Sequence, residues 1–168
     1  VRGAFRNGPN QIRISIIVDA ELLRGSGAPV APAVATAISV EPGGQATFTS
    51  PAGPVLVTWH LTSTHGPRRG SVRRLAQAVA AAAGDTLVLA IDLVQSSLTA
   101  TRIPAHATPA DALVQLTGLD TLSLAGLAAS LDCAPAQVVE ILAARGDTEL
   151  AEAARLTVSS SRDDDNVG

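Results

Sequence analysis

The spacing of apolar residues changes along this chain and separates two kinds of structure. In "IRISIIV", Ile12, Ile14 and Ile16 recur at every second position, and Val55, Val57, Trp59 and Leu61 do the same in "VLVTWHL". A period of two puts successive side chains on opposite faces of a strand, so both stretches predict half-buried β-strands. "QATFTS", "TLVLAID" and "SLTATRI" add three more. Elsewhere the period lengthens. Val72, Leu75, Val79 and Ala83 fall on one helical stripe, with Ser71 placed as N-cap and Gly84 as stop, which predicts a helix of about three turns.

A repeat links these elements. "VATAISVEPGGQATFT" (Val34 to Thr49) lies over "LAQAVAAAAGDTLVLA" (Leu75 to Ala90) without a gap, and Gly43-Gly44 falls on Gly84-Asp85. Gly25-Ser26 and Gly70-Ser71 precede the two copies. The unit reads as strand, helix, glycine turn and hairpin. One unit has too little apolar surface for a core, so the two are expected to pair about a pseudo-twofold axis and close a small β-barrel without open edges.

"IIVDAELLRG" and "VAPAVATAISVEPGGQATFTSPAGPVLVTW" resemble the AbrB/SpoVT family of swapped-hairpin DNA-binding domains, over roughly residues 12 to 103. The wider group of cradle-loop barrels shares a Gly-Asp turn, carried here by Gly84-Asp85 and replaced by Gly43-Gly44 in the first copy. The resemblance implies a barrel and DNA binding. Family members usually build the barrel from two chains, whereas both copies lie in one chain here, and the first copy lacks the basic residues of a DNA face.

After "TRIPAHATPAD", where two prolines break the pattern, the chain turns helical. "LAGLAASLDCAPAQVVEIL" (Leu124 to Leu142) has the spacing of a helix-turn-helix: Leu127 and Ala128 on the first helix, a turn at Asp132-Cys133, then Val138 and Leu142 on the second. "PADALVQLTG" and "DTELAEAARL" supply flanking helices. The expected fold is therefore α+β: a duplicated β-α-β-β barrel over 10–103, an all-α helix-turn-helix-like bundle over 107–157, and a flexible acidic tail over 158–168.

Charge divides along the same line. Residues 1–102 hold nine Arg against five acids, and residues 103–168 hold three Arg against ten acids, so the halves are expected to do different work. Every cation is arginine, a usage that GC-rich coding explains as well as selection does. "RRGSVRR", however, packs Arg68, Arg69, Arg73 and Arg74 into seven residues at the start of the expected helix. Cations are unfavourable at a helix N-terminus unless an anion docks there, whereas amide hydrogens, Ser71 and flat guanidiniums together suit a phosphate. Arg68, Arg69, Ser71, Arg73 and Arg74 are the candidate nucleic-acid contacts, with Arg102, His65 and Arg24 as outlying members. The competing reading is a solvated loop whose arginines pair with Asp85 or Asp92.

Only Phe5, Phe48 and Trp59 are aromatic, few platforms for stacking unpaired bases, which favours duplex over single-stranded DNA. His60 and His65 lack a third metal ligand and a nucleophile at useful spacing. No catalytic constellation is legible and no cofactor is implied, so the chain is read as a binding domain and not an enzyme. On the expected helix-turn-helix the groove-facing positions would be Pro135, Ala136, Gln137, Val139 and Glu140, a poor set for an anionic duplex, so this module is read as a packing or protein-contact element. Cys133 alone precludes an internal disulfide and fits a reducing compartment. No run is long and apolar enough to span a bilayer, and methionine is absent. The expectation is a cytoplasmic, bacterial-type DNA-binding domain of a larger protein, contacting DNA and the parent protein's other domains but no membrane, and compatible with a homo-oligomer. The alternative is a protein-protein interaction or assembly module that uses the acidic helical half.

Overall fold

Two glycine turns 41 residues apart organise the first half of the chain: Gly43 and Gly84 take left-handed φ values of 85° and 94°, a region most side chains avoid. The computed structural model describes residues 1–62 and 64–164. It is an α+β structure with two four-stranded antiparallel sheets. Sheet one runs β1 (Ala4–Arg6), β2 (Gln11–Ile17), β7 (Thr86–Asp92), β8 (Ser97–Ile103). Sheet two runs β3 (Ala28–Pro29), β6 (Arg68–Arg69), β5 (Val55–Thr58), β4 (Gln45–Phe48). Short helices α1 (Ala20–Arg24), α2 (Pro32–Ala37) and α3 (Arg73–Ala78) connect them.

The hydrogen bonds around each glycine turn recur at that same separation. Gly84 N–H donates to Val18 O and Val18 N–H to Asp85 O, while Gly43 N–H donates to Trp59 O and Trp59 N–H to Gly44 O. The strand registers agree: Ile17 faces Thr86 between β2 and β7, and Thr58 faces Gln45 between β5 and β4. The first strand of each half thus pairs with the last strand of the other. This redraws the unit expected from sequence, because β5 is both the hairpin partner of β4 and the counterpart of β2.

Where the halves cross, β3 and β6 pair with each other, Ala28 opposite Arg69. The backbones pass so closely that a Cβ on Gly27 would lie 2.6 Å from Arg69 O. The symmetry breaks at one residue. Gly70 N–H donates to Leu56 O at 2.7 Å, whereas its counterpart Pro29 has no N–H to give. The corresponding edge of β2 is taken instead by β1, which sequence periodicity did not reveal, with Ser15 N–H on Gly3 O.

Both helices end earlier than the glycine signal suggests. Ala81 N–H reaches back to Ala76 O and Ala80 N–H to Gln77 O, with Ala80 at φ 54°; Val40, Ser39, Ala35 and Thr36 repeat the arrangement in the first half, with Ser39 at φ 65°. These are Schellman closures built on Ala and Ser in place of Gly. The expected three-turn helix to Gly84 is therefore α3, six residues long, and Ala83 is exposed. β5 likewise stops at Thr58, and Leu61, expected inward, is 76% exposed.

Sheet one separates two cores. Its inner face contributes Ile12, Leu87, Leu89, Ile91 and Leu98, packed with Val18, Phe48, Val57 and Leu75. Its outer face contributes Phe5, Val88 and Ile103 to a second core with Leu113, Leu127, Leu131, Val138 and Leu142. Those last residues lie on α4 (Pro109–Thr117), α5 (Leu124–Leu131) and α6 (Val138–Ala144), the last preceded by a 3-10 turn at Pro135–Gln137; α7 (Thr148–Asp164) follows. Thr108 and Ser123 cap α4 and α5 through side-chain oxygens, and α5 closes on Asp132 in the left-handed region. An angle of 80° separates α5 from the 3-10 turn and α6.

The boundary read at 103–107 is thus bridged by a shared core and by polar ties. Arg13 Nη1 donates to Gln115 O at 2.7 Å in the last turn of α4, Arg145 Nη1 to Ala4 O at 2.7 Å, and Gly3 N–H to the buried carboxylate of Asp147 at 3.1 Å. The helix α7 continues to Asp164, through the start of the segment expected as a tail; residues 165–168 lie outside the described residues.

Because the atom facing Gly27 is backbone and cannot rotate away, Gly27→Ala is expected to destabilise the fold by about 1–3 kcal/mol, measured as a fall in the urea midpoint at unchanged m-value. An unchanged midpoint would contradict the close crossing.

Candidate nucleic-acid interface

The "RRGSVRR" segment is divided between a strand and a helix. Strand alternation sends Arg68 outward and Arg69 inward: the first is exposed, the second buried. Arg69 Nη1 donates to Gly70 O at 3.2 Å. Burial pushes its guanidinium below the ordinary arginine pKa, opposed by the charge of Asp19. Arg69 is therefore a packing residue and not a surface contact.

Val72, fully buried, occupies the N-cap of α3 where Ser71 was expected. Ser71 Oγ still serves the first turn, accepting the Arg73 N–H at 3.2 Å. With that amide satisfied and fewer than two turns of helix, the positive character of this end comes from the side chains. Arg73 and Arg74 are both exposed. Arg73 lies against the end of α1, where a Cβ on Gly25 would sit 3.5 Å from its Cδ and from Ser71 Oγ. Arg74 extends the other way, its Nη1 3.9 Å from a Cβ placed on Gly53 in the β4–β5 turn. Among the described residues, Arg68, Arg73 and Arg74 form no ion pair with a carboxylate.

The outlying candidates divide. Arg24 ends α1 beside Gly25, near Ser71 and Arg73, but its guanidinium is paired with Glu21, which also accepts from Ser26 Oγ. His65 is exposed in the loop before β6, as is His60 beyond β5. Arg102 lies apart from the others. It lies at the opposite end of α3, where its Nη1 donates to Ala80 O at 3.1 Å and stands 3.7 Å from Asp85 Oδ2.

Asp85 is buried and holds that junction together, accepting the Ala82 N–H at 2.9 Å and the Ala105 N–H at 3.1 Å. The Ala82 amide is the main cause holding its carboxyl below the usual carboxylate range; the Ala105 amide and the Arg102 and His106 charges act in the same direction, against burial. The pairing of basic residues with Asp85 thus holds for Arg102 alone. Asp92 instead accepts the turn amides of Val94 and Gln95.

One surface is not marked by a charged motif in the sequence. On sheet two, Phe48, Val55 and Val57 point inward, leaving Gln45, Thr47, Leu56 and Thr58 on the outer face. The registers align Gln45, Thr58, Arg68 and Pro29 in one cross-strand row. The signal available for it was the alternation within "QATF" and "VLVT" itself.

In the helical half, Pro135, Ala136, Gln137 and Glu140 are exposed and Val139 half-buried, but Gln137 Oε1 already accepts the Ala134 N–H at 3.2 Å. Cys133 is half-buried against the second core, and burial raises its thiol pKa. Among the described residues no group of three or more His, Cys, Asp or Glu is arranged to hold a metal ion. No protein-family model, curated protein or solved structure matches this chain.

Because its folded pKa is depressed, Asp85 contributes stability that is complete above the ordinary carboxylate pKa of about 3.9 and is lost as pH falls through the lower folded value. Asp85→Asn is expected to lower the Tm at pH 7, with the gap to the native protein closing in acid below about pH 4. A gap that stays constant with pH would show that the ionised carboxylate is not what holds the turn.

Proposed function

We propose that the chain is a duplex-DNA-binding domain in which exposed arginines beside sheet two contact the phosphate backbone. The observation that carries this reading is the set Arg68, Arg73 and Arg74, exposed on adjoining elements and, among the described residues, without carboxylate partners. Exposed guanidiniums that no carboxylate neutralises attract a polyanion and match phosphate oxygens in pairs. Ser71 adds a hydroxyl, and His65 and Arg24 border the group. DNA and the other domains of a larger protein are the partners in this reading, with no cofactor and no chemistry of its own.

Strand exchange between the two halves supports reading residues 10–103 as a pseudo-twofold barrel of the swapped-hairpin kind. So do the bonds Thr49 N–H to Ser96 O and Leu98 N–H to Thr49 O, which join β4 to β8 across the two sheets. The 80° pair α5 and α6 is read as a helix-turn-helix-like module that packs and does not read bases. Among the described residues no single helix is long and apolar enough to cross a membrane. The alternative, a protein contact made by the acidic helical half, has its own observation: Leu156 is 62% exposed on α7, one turn from exposed Glu152.

Fluorescence anisotropy with a short duplex tests the first reading. Affinity should fall steeply between about 50 and 200 mM salt, and Arg68→Ala, Arg73→Ala and Arg74→Ala combined should weaken binding at least about tenfold and reduce the salt slope by about three. Arg69 and Arg102 are left intact because their removal would disturb the fold. Absent affinity, or affinity indifferent to both salt and substitution, would replace this reading with the protein-contact one.

A further inference from the structure

The 41-residue correspondence relates the outer faces of the two sheets. Thr86, Val88, Ser15 and Ile17 on sheet one correspond to Gln45, Thr47, Leu56 and Thr58 on sheet two. On sheet one this face is occupied in part: Val88 is fully buried in the second core under the helical half, Ser15 and Thr86 are half-buried, and Ile17 stays exposed. What the helices leave open there is a groove of about 600 Å³, lined in part by Ser15, Ile17, Thr86 and Leu116. On sheet two the equivalent face carries no helical cover, and Gln45 and Thr47 are exposed.

The chemistry of the two faces differs accordingly. Val88 and Ile17 give way to Thr47 and Thr58, and Thr86 to Gln45. Arg68 joins the Gln45–Thr58 row from β6. None of β3, β4, β5 and β6 contains an acidic residue. Arg74 stands at the β4–β5 turn, the end of the ribbon away from Gln45. At about 4.8 Å between strands, Gln45 and Thr58 on the two-stranded β4–β5 ribbon lie within the roughly 12 Å width of a major groove, with Arg68 one strand further out.

We propose that the uncovered outer face of sheet two, presenting Gln45, Thr47, Thr58 and Arg68, is the docking face for duplex DNA, with the β4–β5 ribbon directed into the major groove. This rests on the nucleic-acid reading above and adds to it the element that enters the duplex. An amide, two hydroxyls and a guanidinium are groups that bond base edges, and Leu56, 41% exposed, offers an apolar contact of the kind thymine methyls accept. Arg73 and Arg74 then hold phosphates at the margin, where they set affinity and register without reading sequence.

The test uses single changes that add negative charge to exposed positions: Gln45→Glu and Thr47→Glu on this face, and Gln137→Glu on the 3-10 turn. Each is assayed by duplex anisotropy at low salt, with a thermal melt to confirm that folding is retained. Gln45→Glu and Thr47→Glu should each weaken binding about tenfold through like-charge juxtaposition, and Gln137→Glu should leave it unchanged. If the native protein binds in a salt-dependent way but neither sheet substitution matters, or if Gln137→Glu is the damaging one, the docking face is wrong while the nucleic-acid reading stands. If the native protein binds no duplex, both fall. Concentration-dependent self-association abolished by the same sheet substitutions, without DNA binding, would assign the face to a second copy of the chain.

Discussion

Everything in the first half of this molecule depends on an exchange: the opening strand of each repeat completes its hydrogen bonding only on the closing strand of the other. Val18 and Trp59 each lock onto the opposite repeat's glycine turn, and β3 meets β6 at the crossing. Neither repeat can satisfy its backbone alone, so the inner core of Val18, Phe48, Val57, Leu75, Leu87 and Leu89 assembles as one unit. Gly27 permits the backbones to cross and Pro29 prevents the crossing from being symmetric. That one missing N–H leaves an edge of β2 for β1, and β1 carries Phe5 into the second core.

The asymmetry decides which face the helices cover. Through β1, Arg13 and Asp147 the helical half is fastened to the outer face of sheet one. The corresponding face of sheet two has no helical cover, and Arg68, Arg73 and Arg74 beside it form no ion pair among the described residues. The two corresponding faces thereby differ, one packed in part under the helical half and one open.

Much of this was legible from the sequence, for identifiable reasons. The gapless alignment of Val34–Thr49 on Leu75–Ala90 has the same 41-residue offset that the turns and registers show. The period of two located β2 and β5, the segments after the glycine turn gave β7 and β8, and the Leu127, Leu131, Val138 and Leu142 spacing located α5 and α6. Helix ends were misjudged because Ser39 and Ala80 adopt a conformation normally signalled by glycine. β1 is three residues long, too short for a period to register. The arginine cluster was visible as composition, but sorting it required tertiary structure: Arg69 turns inward by strand alternation, and Arg102 is captured by Asp85, 17 residues away in sequence but adjacent in space. Gln45, Thr47 and Thr58 carry no charge and match no motif, so only the register that aligns them with Arg68 makes them a surface.

Backbone hydrogen exchange with and without a short DNA duplex locates the contact without altering the protein. Exchange should slow on adding DNA in 45–48, 55–58 and 68–74, with α5, α6 and α7 unaffected. Protection confined to the helical half, or none anywhere under low salt, would contradict it.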